Sequence, residues 1–134
     1  MPMAYSLDQM NCLVRTRAWG SVTNADLHGY YHGLAADPRF GRDFRELVDL
    51  SAVLHFVVES TLIREVASWT VFRAGARRAF IAITDLAFGL SRMFSAYAED
   101  AGQHIEVFRD AGAAERWLEQ SEGCSPGHPP ARAA

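Results

Sequence analysis

Two histidines stand four residues apart in the chain, at His28 and His32. On a helix, this spacing places both imidazoles on one face, where they can bind a metal ion together. A zinc peptidase would carry a glutamate directly after the first histidine as its general base, and Gly29 stands there instead. No third ligand is evident in the sequence. We therefore expect no metal site, and we interpret the two histidines as solvent-facing side chains.

Three aspartates, Asp49, Asp85 and Asp110, stand at or just after predicted parallel strands. Ligands of open α/β sheets bind at that edge, and converging carboxylates can hold Mg²⁺ there, as in phosphoacceptor receiver domains. A receiver pocket also needs a lysine, and all 13 basic residues of this chain are arginine. The lack of lysine also excludes Schiff-base chemistry and a phosphate-binding loop with its lysine. We interpret Asp85 and Asp110 as helix N-caps and Asp49 as an acceptor of backbone N–H groups.

The segment Gly89-Leu90-Ser91 begins like the nucleophile elbow of a hydrolase. The second glycine of that motif is missing, and the segment is predicted to lie in the middle of a helix rather than at a strand-to-helix turn. No nucleophile–base pair emerges elsewhere in the chain. We therefore predict that the protein is not an enzyme, has no catalytic residue and needs no cofactor.

Arginines and large apolar side chains gather around the second and third predicted helices. The arginines form either an anion-binding patch or the solvated end of a helix; they are Arg64, Arg73, Arg77 and Arg78. The apolar side chains either line a cavity or pack as ordinary core; they are Trp69, Phe72, Phe88, Met93, Phe94 and Tyr97. Both alternatives stay open at the level of the sequence.

The elements that must position these residues alternate along the chain. Periodicity and β-rich composition predict five strands, at residues 3–8, 12–19, 45–50, 78–84 and 104–108. A capping box begins the first helix at Thr23, and Ser60 or Thr61 is expected to cap the second. Gly20 is predicted to end the second strand, and Gly75 is predicted to end the second helix.

This order predicts an α/β fold, with a single, mostly parallel five-stranded sheet, an N-terminal β-hairpin and about four helices. The predicted domain covers residues 1–120, and a proline-rich tail, residues 121–134, is predicted to be disordered. The 134 residues have a formal net charge of −3, which argues against a dedicated nucleic-acid-binding module. Neither a secretory signal nor an apolar run of membrane-spanning length is found, so we expect a cytoplasmic protein without a membrane span.

Several short segments, taken in order, match the pattern of a known superfamily. They are Gly20-Ser21-Val22-Thr23, Leu47-Val48-Asp49-Leu50, Arg78-Ala79-Phe80-Ile81-Ala82-Ile83, and Val107-Phe108 followed by Ala113-Ala114-Glu115-Arg116-Trp117-Leu118. With this pattern, residues 3–120 resemble the STAS-like superfamily, which includes anti-sigma-factor antagonists and small bacterial domains related to CRAL-TRIO lipid-transfer folds. The closing phenylalanine and Ala-x-x-Trp-Leu resemble an uncharacterised bacterial branch in particular.

Antagonist members of this superfamily carry an Asp-Ser-Ser-Gly phosphorylation motif at the start of the second helix. The corresponding residues here are Val58-Glu59-Ser60-Thr61-Leu62, which lack the glycine and have Glu59 in place of the aspartate. The resemblance implies Ser60 and Thr61 as phosphoacceptor candidates, with a plain helix cap as the alternative. It also implies a non-enzymatic binding or regulatory module. Such a module docks on a protein partner, or on another copy of itself through an exposed sheet edge, with Ser51 to Arg64 as its working surface.

The alternative function is a carrier or sensor of a small, lipid-like apolar ligand held between the second and third helices and the sheet. Arg73 or Arg77 would meet a head group, and the aromatic lining would be Trp69, Phe72, Phe94 and Tyr97. Across both functions, the candidate contact residues for a partner or ligand are Asp49, Ser51, Glu59, Arg64, Trp69, Phe72, Arg73, Asp85, Phe94 and Tyr97.

Overall fold

A computed structural model describes residues 2–120 of the chain. The described residues form one sheet, and its strands are β1 (Met3–Asp8), β2 (Leu13–Thr23), β3 (Arg45–Val57), β4 (Arg77–Ile81) and β5 (His104–Phe108). The strands lie side by side in sequence order; β1 is antiparallel to β2, and each later pair is parallel. The helices are α1 (Asn24–Ala36), α2 (Ser60–Ala67), α3 (Asp85–Glu99) and α4 (Ala111–Glu119). These elements confirm the predicted α/β fold and its N-terminal hairpin.

The two faces of the sheet carry cores of different size. Successive strand residues point to opposite faces, so Val48 faces one side and Leu47 faces the other. Helices α1, α2 and α3 pack on the Val48 side, where the larger core lies. Helix α4 packs on the Leu47 side, where it buries Ala114 and Leu118 against the sheet.

Two arginines hold the end of α4 on this second face. Arg45, at the start of β3, donates from Nη1 to the carbonyl of Leu118 at 2.7 Å. Arg77, at the start of β4, donates from Nη1 to the carbonyl of Trp117 at 2.7 Å, and its guanidinium carbon lies 4.7 Å from the centroid of that ring. The last carbonyls of a helix lack partners within the helix, and the two arginines supply them. Arg77 thus serves a helix end, as one alternative predicted, but the helix is α4.

Local capping signals decide where three of the helices begin. The capping box at Thr23 is confirmed, because its side chain accepts from the N–H of Asp26 and the Asp26 carboxylate accepts from the N–H of Thr23. Asp110 caps α4 as predicted, accepting a backbone N–H at 3.0 Å. The prediction for α3 is wrong by one residue: Thr84 is the cap, and Asp85 begins the helix.

Strands β2 and β3 are longer than predicted. Gly20 does not end β2, because its φ of +65° lets the strand bend and continue to Thr23. Strand β3 does not end at residue 50 but continues to Val57 alongside the extension of β2. The two extensions depend on each other, since each supplies hydrogen-bonding partners to the other.

Two further predicted boundaries are wrong. Helix α2 ends at Ala67 rather than near Gly75, and the following loop is held by the N–H of Arg73, which donates to the carbonyl of Arg42 at 2.8 Å. Strand β4 ends at Ile81 rather than at residue 84, because Thr84 already belongs to the start of α3. The predicted disordered tail, residues 121–134, lies outside the described residues. Within residues 2–120, no helix combines the length and apolarity needed to span a lipid bilayer.

Candidate functional site

Exposed apolar side chains gather at one end of the sheet. Among the described residues, six large apolar side chains are exposed, and five of them lie in the second half of β2 or β3 or in the segment after β4. We name these five the carboxyl-end surface: Trp19, Leu54, Val57, Ile83 and Leu86. The sixth, Met10, lies in the β1–β2 turn at the opposite end. Single exposed apolar residues are ordinary, but a group at one end marks a candidate interaction site.

Strands β2 and β3 form much of this surface because they run past their neighbours. Strand β4 pairs with β3 from Glu46 to Asp49, and β1 pairs with β2 as far as Ala18. Beyond these points β2 and β3 pair with each other as a two-stranded ribbon, which we define as residues 19–23 and 50–57. Each strand of the ribbon is therefore paired with the other strand along one edge. Within residues 2–120, no strand pairs with its second edge, which we call open.

A shift of register within the ribbon directs Leu54 toward solvent. Gly20 lies opposite Val53 and Ser21 lies opposite His55, so Leu54 has no residue opposite it on β2. Such an extra residue is a β-bulge, which breaks the alternation of the two faces and re-aims side chains. Leu54 and His55 are both exposed in consequence, and Leu54 is 76% exposed.

The start of α2 follows the ribbon and contains the phosphoacceptor candidates. The prediction that Ser60 or Thr61 caps α2 is wrong, because Glu59 occupies the N-cap position and Ser60 is already helical. Asn24, at the start of α1, binds this residue twice: its Oδ1 accepts from the N–H of Glu59 at 2.9 Å, and its Nδ2 donates to Oε1 of Glu59 at 3.3 Å. The hydroxyl residues of the first turn are exposed, so their side chains are accessible at the edge of the ribbon.

A polar network lies buried beneath the first half of β3. Glu46 and Arg78 are direct neighbours on β3 and β4, and their side chains are 0% and 3% exposed. Arg78 donates from Nε to Oε1 of Glu46 at 2.8 Å and from Nη1 to Oε1 of Gln103 at 2.9 Å. The second oxygen of Glu46 accepts from the hydroxyls of Tyr30 at 2.8 Å and Tyr31 at 3.1 Å. The buried charge pair is thus enclosed by hydrogen-bonding partners.

Burial and charge set the protonation of this network. Burial, with the neighbouring charge of Glu46, raises the pKa of Tyr30 and of Tyr31 well above the usual range. Burial opposes the charge of Arg78, but the Glu46 carboxylate outweighs it and raises the pKa of Arg78. Arg78 therefore stays charged, and both tyrosines stay protonated, at neutral pH.

Sequence reasoning did not find this network, although a signal for it exists. Glu46 stands two residues before Val48 and Arg78 stands two before Phe80, so each charge shares the inward face of an apolar strand. Opposite charges on the inward faces of neighbouring strands predict a buried pair. The prediction requires the register of the two strands, which the sequence does not give.

An apolar pocket of about 60 Å³ lies between the sheet and helices α1, α2 and α3. Its walls are largely aliphatic and aromatic, and they include Phe94 and the rings of Tyr30 and Tyr31. The hydroxyls of these two tyrosines are bound to Glu46, so they are not available to an occupant. Sites for drug-sized ligands enclose roughly 300–1,000 Å³. The pocket in this conformation therefore has room for only a few heavy atoms.

The aromatic residues predicted to line a ligand cavity do not lie together. Phe94 lines the pocket, whereas Phe72 is completely buried with its ring centroid 4.5 Å from the guanidinium carbon of Arg78. Tyr97 contacts Arg64 instead, whose guanidinium carbon lies 4.9 Å from its ring centroid and whose Nη2 donates to its hydroxyl at 3.3 Å. The predicted lining is therefore wrong as a set: of the four aromatic residues, only Phe94 lines the apolar pocket.

Trp69 joins the two histidines rather than the pocket. Its ring meets His28 and His32 edge-on, at centroid distances of 5.1 and 5.0 Å, and the two imidazoles stack on each other at 4.3 Å. The predicted shared face of the histidines is therefore confirmed, and the three rings connect α1 to the end of α2. Arg73 is exposed, and its Nη1 donates to the carbonyl of Ala74 at 3.3 Å.

The carboxylates predicted near the carboxyl ends of the strands are engaged by their neighbours. Asp49 accepts on Oδ1 from the N–H of Ser51 at 2.9 Å and from its hydroxyl at 2.6 Å, which fits the role interpreted for it. Asp85 is 96% exposed in its side chain and pairs with Arg109 at 2.9 Å. Within residues 2–120, no group of three or more His, Cys, Asp or Glu side chains is placed to hold a metal ion.

No family model matches the chain, and no curated protein matches it. A solved structure does match: an uncharacterized protein of the DUF3478 family from Shewanella loihica, which has a SpoIIAA-like fold. The match covers 87% of this chain and 93% of that one, with 16% sequence identity and a TM-score of 0.54. The predicted resemblance to the STAS-like superfamily is thereby confirmed at the level of the fold. This chain has a SpoIIAA-like fold.

Proposed function

We propose that this chain is a non-enzymatic binding or regulatory domain of the STAS-like type that acts by docking on a protein partner. The observation that carries the proposal is the carboxyl-end surface, which holds five of the six large exposed apolar side chains among the described residues. The working surface expected from the sequence, Ser51 to Arg64, overlaps it at Leu54 and Val57. Docking there removes apolar area from water, which is the main favourable term in most protein associations.

The size of the surface fits an interaction that needs several contacts. Fully burying one valine or leucine side chain gains roughly 1.5–3 kcal/mol. Association costs on the order of 4–15 kcal/mol in lost freedom of movement, so one exposed leucine does not suffice. Leu54, Val57, Ile83 and Leu86 are between 48% and 76% exposed, and burying them together with Trp19 reaches that scale.

The titratable side chains support a role without catalysis. In the core, Glu46 and Arg78 are bound to each other and to the neighbouring tyrosines, away from solvent. Near the carboxyl-end surface, Asp49 and Asp85 are engaged by adjacent side chains. These groups form no nucleophile–base pair, and the proposed role requires no cofactor. The location in the cytoplasm stays a prediction from the sequence.

A photoreactive phenylalanine analogue placed at Leu54 or at Leu86 tests the proposal in the native host. We expect irradiation to give an adduct of one defined mass from both positions, because both side chains belong to the same surface. The matched control is the same analogue at Met10, which is 66% exposed at the other end of the sheet. Adducts at equal yield from Met10, or no adduct from Leu54 and Leu86, would overturn the proposal.

A second candidate function is carriage or sensing of a small, lipid-like apolar ligand, and the apolar pocket favours it. The pocket offers apolar walls, and its two tyrosine hydroxyls are already bound to Glu46. An occupant is therefore recognised by shape and apolar contact. At about 60 Å³ the pocket must widen before it admits a lipid-like molecule.

Native mass spectrometry of protein that has never been denatured tests the carrier function. A carrier should show extra mass that is released as a small lipophilic compound. Phe94→Trp, which fills the pocket, should remove that mass, whereas Phe88→Trp on the same helix should retain it. Extra mass that persists in Phe94→Trp would contradict binding in this pocket, and a wild-type spectrum free of extra mass would exclude a tightly held ligand.

A further inference from the structure

We propose that the protein which docks on the ribbon is a second copy of this chain, joined along the open edge of β3. The two copies of residues 50–57 would lie antiparallel about a two-fold axis, in an interface that uses the same surface on both sides. This inference rests on the proposed docking function and names the partner for it. It depends on three features of β3: its open edge, its lack of charge, and its exposed apolar side chains.

The open edge of β3 begins where its pairing with β4 stops. That pairing runs from Glu46 to Asp49, so residues 50–57 continue past it with β2 on one side and, within residues 2–120, no strand on the other. A strand edge of this kind presents backbone N–H and C=O groups that can pair with another chain.

The two outermost strands of the sheet carry features that oppose pairing, and the free edge of β2 in the ribbon is only five residues long, with the N–H of Trp19 already donating to the carbonyl of Pro2 at 2.9 Å. Strand β5 is five residues long and contains Glu106, and the hydroxyl of Ser95 on α3 donates to the carbonyl of Ile105 at 2.8 Å. Strand β1 is six residues long and ends in Asp8. Short length, charged side chains and coverage by a neighbouring element are the usual means of blocking an edge. The ribbon half of β3 is eight residues long and contains no Asp, Glu, Lys or Arg; at its start, the N–H of Ser51 is taken by the Asp49 carboxylate.

The open edge of β3 carries no fixed charge, so it can face a second copy of itself without repulsion. Residues 50–58 read Leu-Ser-Ala-Val-Leu-His-Phe-Val-Val, without an aspartate, glutamate, lysine, arginine, proline or glycine. Antiparallel pairing about a two-fold axis places this stretch opposite its own copy, where any fixed charge would face a like charge. Like charges directly opposite each other destabilise a strand pair. An uncharged stretch avoids this repulsion, and so a second copy fits the edge.

The side chains of the edge supply the apolar contact. Leu54 and Val57 are 76% and 62% exposed, and a second copy seated on the edge would cover both. Because the interface is symmetric, each residue counts twice, once on each copy. A change at Leu54 should therefore affect self-association more than a similar change elsewhere on the surface.

Sedimentation velocity of the full chain over a wide range of concentration tests the inference. We expect a reversible dimer for the wild type. Leu54→Lys should weaken dimer formation roughly a hundredfold or more, because it brings like charges together across the interface. Met10→Lys is the matched control, an apolar-to-lysine change at a residue that is 66% exposed at the other end of the sheet, and it should leave dimer formation unchanged. Circular dichroism of both variants checks that the monomer fold is retained.

Three outcomes overturn the inference. They are a wild type that stays monomeric at every concentration, a Leu54→Lys variant that dimerises like the wild type, and a Met10→Lys variant that loses the dimer to the same extent. The photoreactive analogue at Leu54 separates this failure from failure of the docking function. An adduct heavier than one chain but unequal to two chains retains docking and excludes self-pairing, whereas no adduct from the surface excludes both.

Discussion

The two halves of strand β3 differ in which residues they bury: one buries a charged side chain, and the other exposes apolar side chains. In its first half, strands flank it on both sides from Glu46 to Asp49, and the charged Glu46 is fully buried. In its ribbon half, residues 50–57, pairing with β4 has stopped, and the apolar Leu54 and Val57 are exposed. Burial along this strand therefore follows the neighbouring strands rather than the polarity of the residue.

This difference shows that the side chains of the two halves depend on different kinds of contact. A buried charge is tolerated only when other groups pair with it, and Glu46 has Arg78, Tyr30 and Tyr31. An exposed leucine gains little until something covers it, and Leu54 has no such cover within the described part of the chain. The buried charge in the first half thus finds its partners within the chain, whereas the exposed apolar side chains of the ribbon half are suited to contact with another molecule.

The largest effect should come from removing one member of the buried charge pair. Glu46→Ala leaves Arg78 buried without its partner, which costs about 3–5 kcal/mol of unfolding free energy. The double variant Glu46→Leu/Arg78→Met removes both charges and should recover part of that loss, since no buried charge remains but Tyr31 and Gln103 lose hydrogen-bonding partners. Urea unfolding measures both values, with Glu106→Ala as a control on an exposed glutamate. An equal loss in the single and the double variant would contradict this account of the pair.

The same leucine-to-alanine change, made once in each half of β3, compares how much a buried and an exposed side chain contribute to the unfolding free energy. Leu47→Ala opens a cavity beneath α4 and should cost about 2–5 kcal/mol of unfolding free energy. Leu54→Ala, on the same strand, should change it by less than about 0.5 kcal/mol, because this side chain is exposed. Both values come from urea unfolding at a concentration at which the chain is monomeric. Similar losses for the two would show that the ribbon half is buried.

Alkaline pH should destabilise the folded chain through the two tyrosines that bind Glu46 in the first half of β3. The pKa of Tyr30 and of Tyr31 is raised by burial and by Glu46, so these tyrosines hold their protons more tightly in the folded chain than in the unfolded one. Stability is therefore fully present below the unfolded pKa of about 10 and is lost as the pH rises above it. The expected slope is about 1.4 kcal/mol per pH unit for each tyrosine. Urea unfolding at several alkaline pH values measures this slope, and Tyr31→Phe should roughly halve it; an unchanged slope would exclude Tyr31 as a source.

A modest effect is expected at the cap where β2 of the ribbon ends and α1 begins. Thr23→Ala removes the side chain that accepts from the N–H of Asp26, and it should cost about 1 kcal/mol of unfolding free energy. Thr61→Ala is the matched control, because Thr61 lies within α2 and does not cap it. Thermal unfolding of the two variants, side by side, measures the difference. A larger loss for Thr61→Ala would restore the cap that the sequence suggested.

Features with a local cause could be predicted from the sequence. The order of elements, the hairpin, the capping box at Thr23 and the cap at Asp110 follow from periodicity and from side chains within one turn of the residues they bind. The shared helix face of His28 and His32 has the same local origin. Their contact with Trp69 does not, because the loop after α2 decides where that ring lies.

Features that depend on strand register could not be predicted in the same way. The pairing of Glu46 with Arg78 requires knowing that these positions are opposite each other. The ribbon half of β3 is a short apolar run whose periodicity does not separate strand from loop or helix, and the positive φ of Gly20 that lets β2 accompany it is a property of the folded backbone. Of the carboxyl-end surface, only Leu54 and Val57 lie within the working surface expected from the sequence, Ser51 to Arg64; the other three residues and the open edge of β3 were found only in the structure.

The two arginines that hold the end of α4 also fix the direction in which that helix ends. Arg45 and Arg77 are the first residues of β3 and β4, so Trp117 and Leu118 lie at the amino end of these strands. Residue 120 is thus placed at the end of the domain opposite Leu54. Attachment of the chain to a sensor surface at this position would leave the open edge of β3 facing the solution, which suits direct measurement of docking.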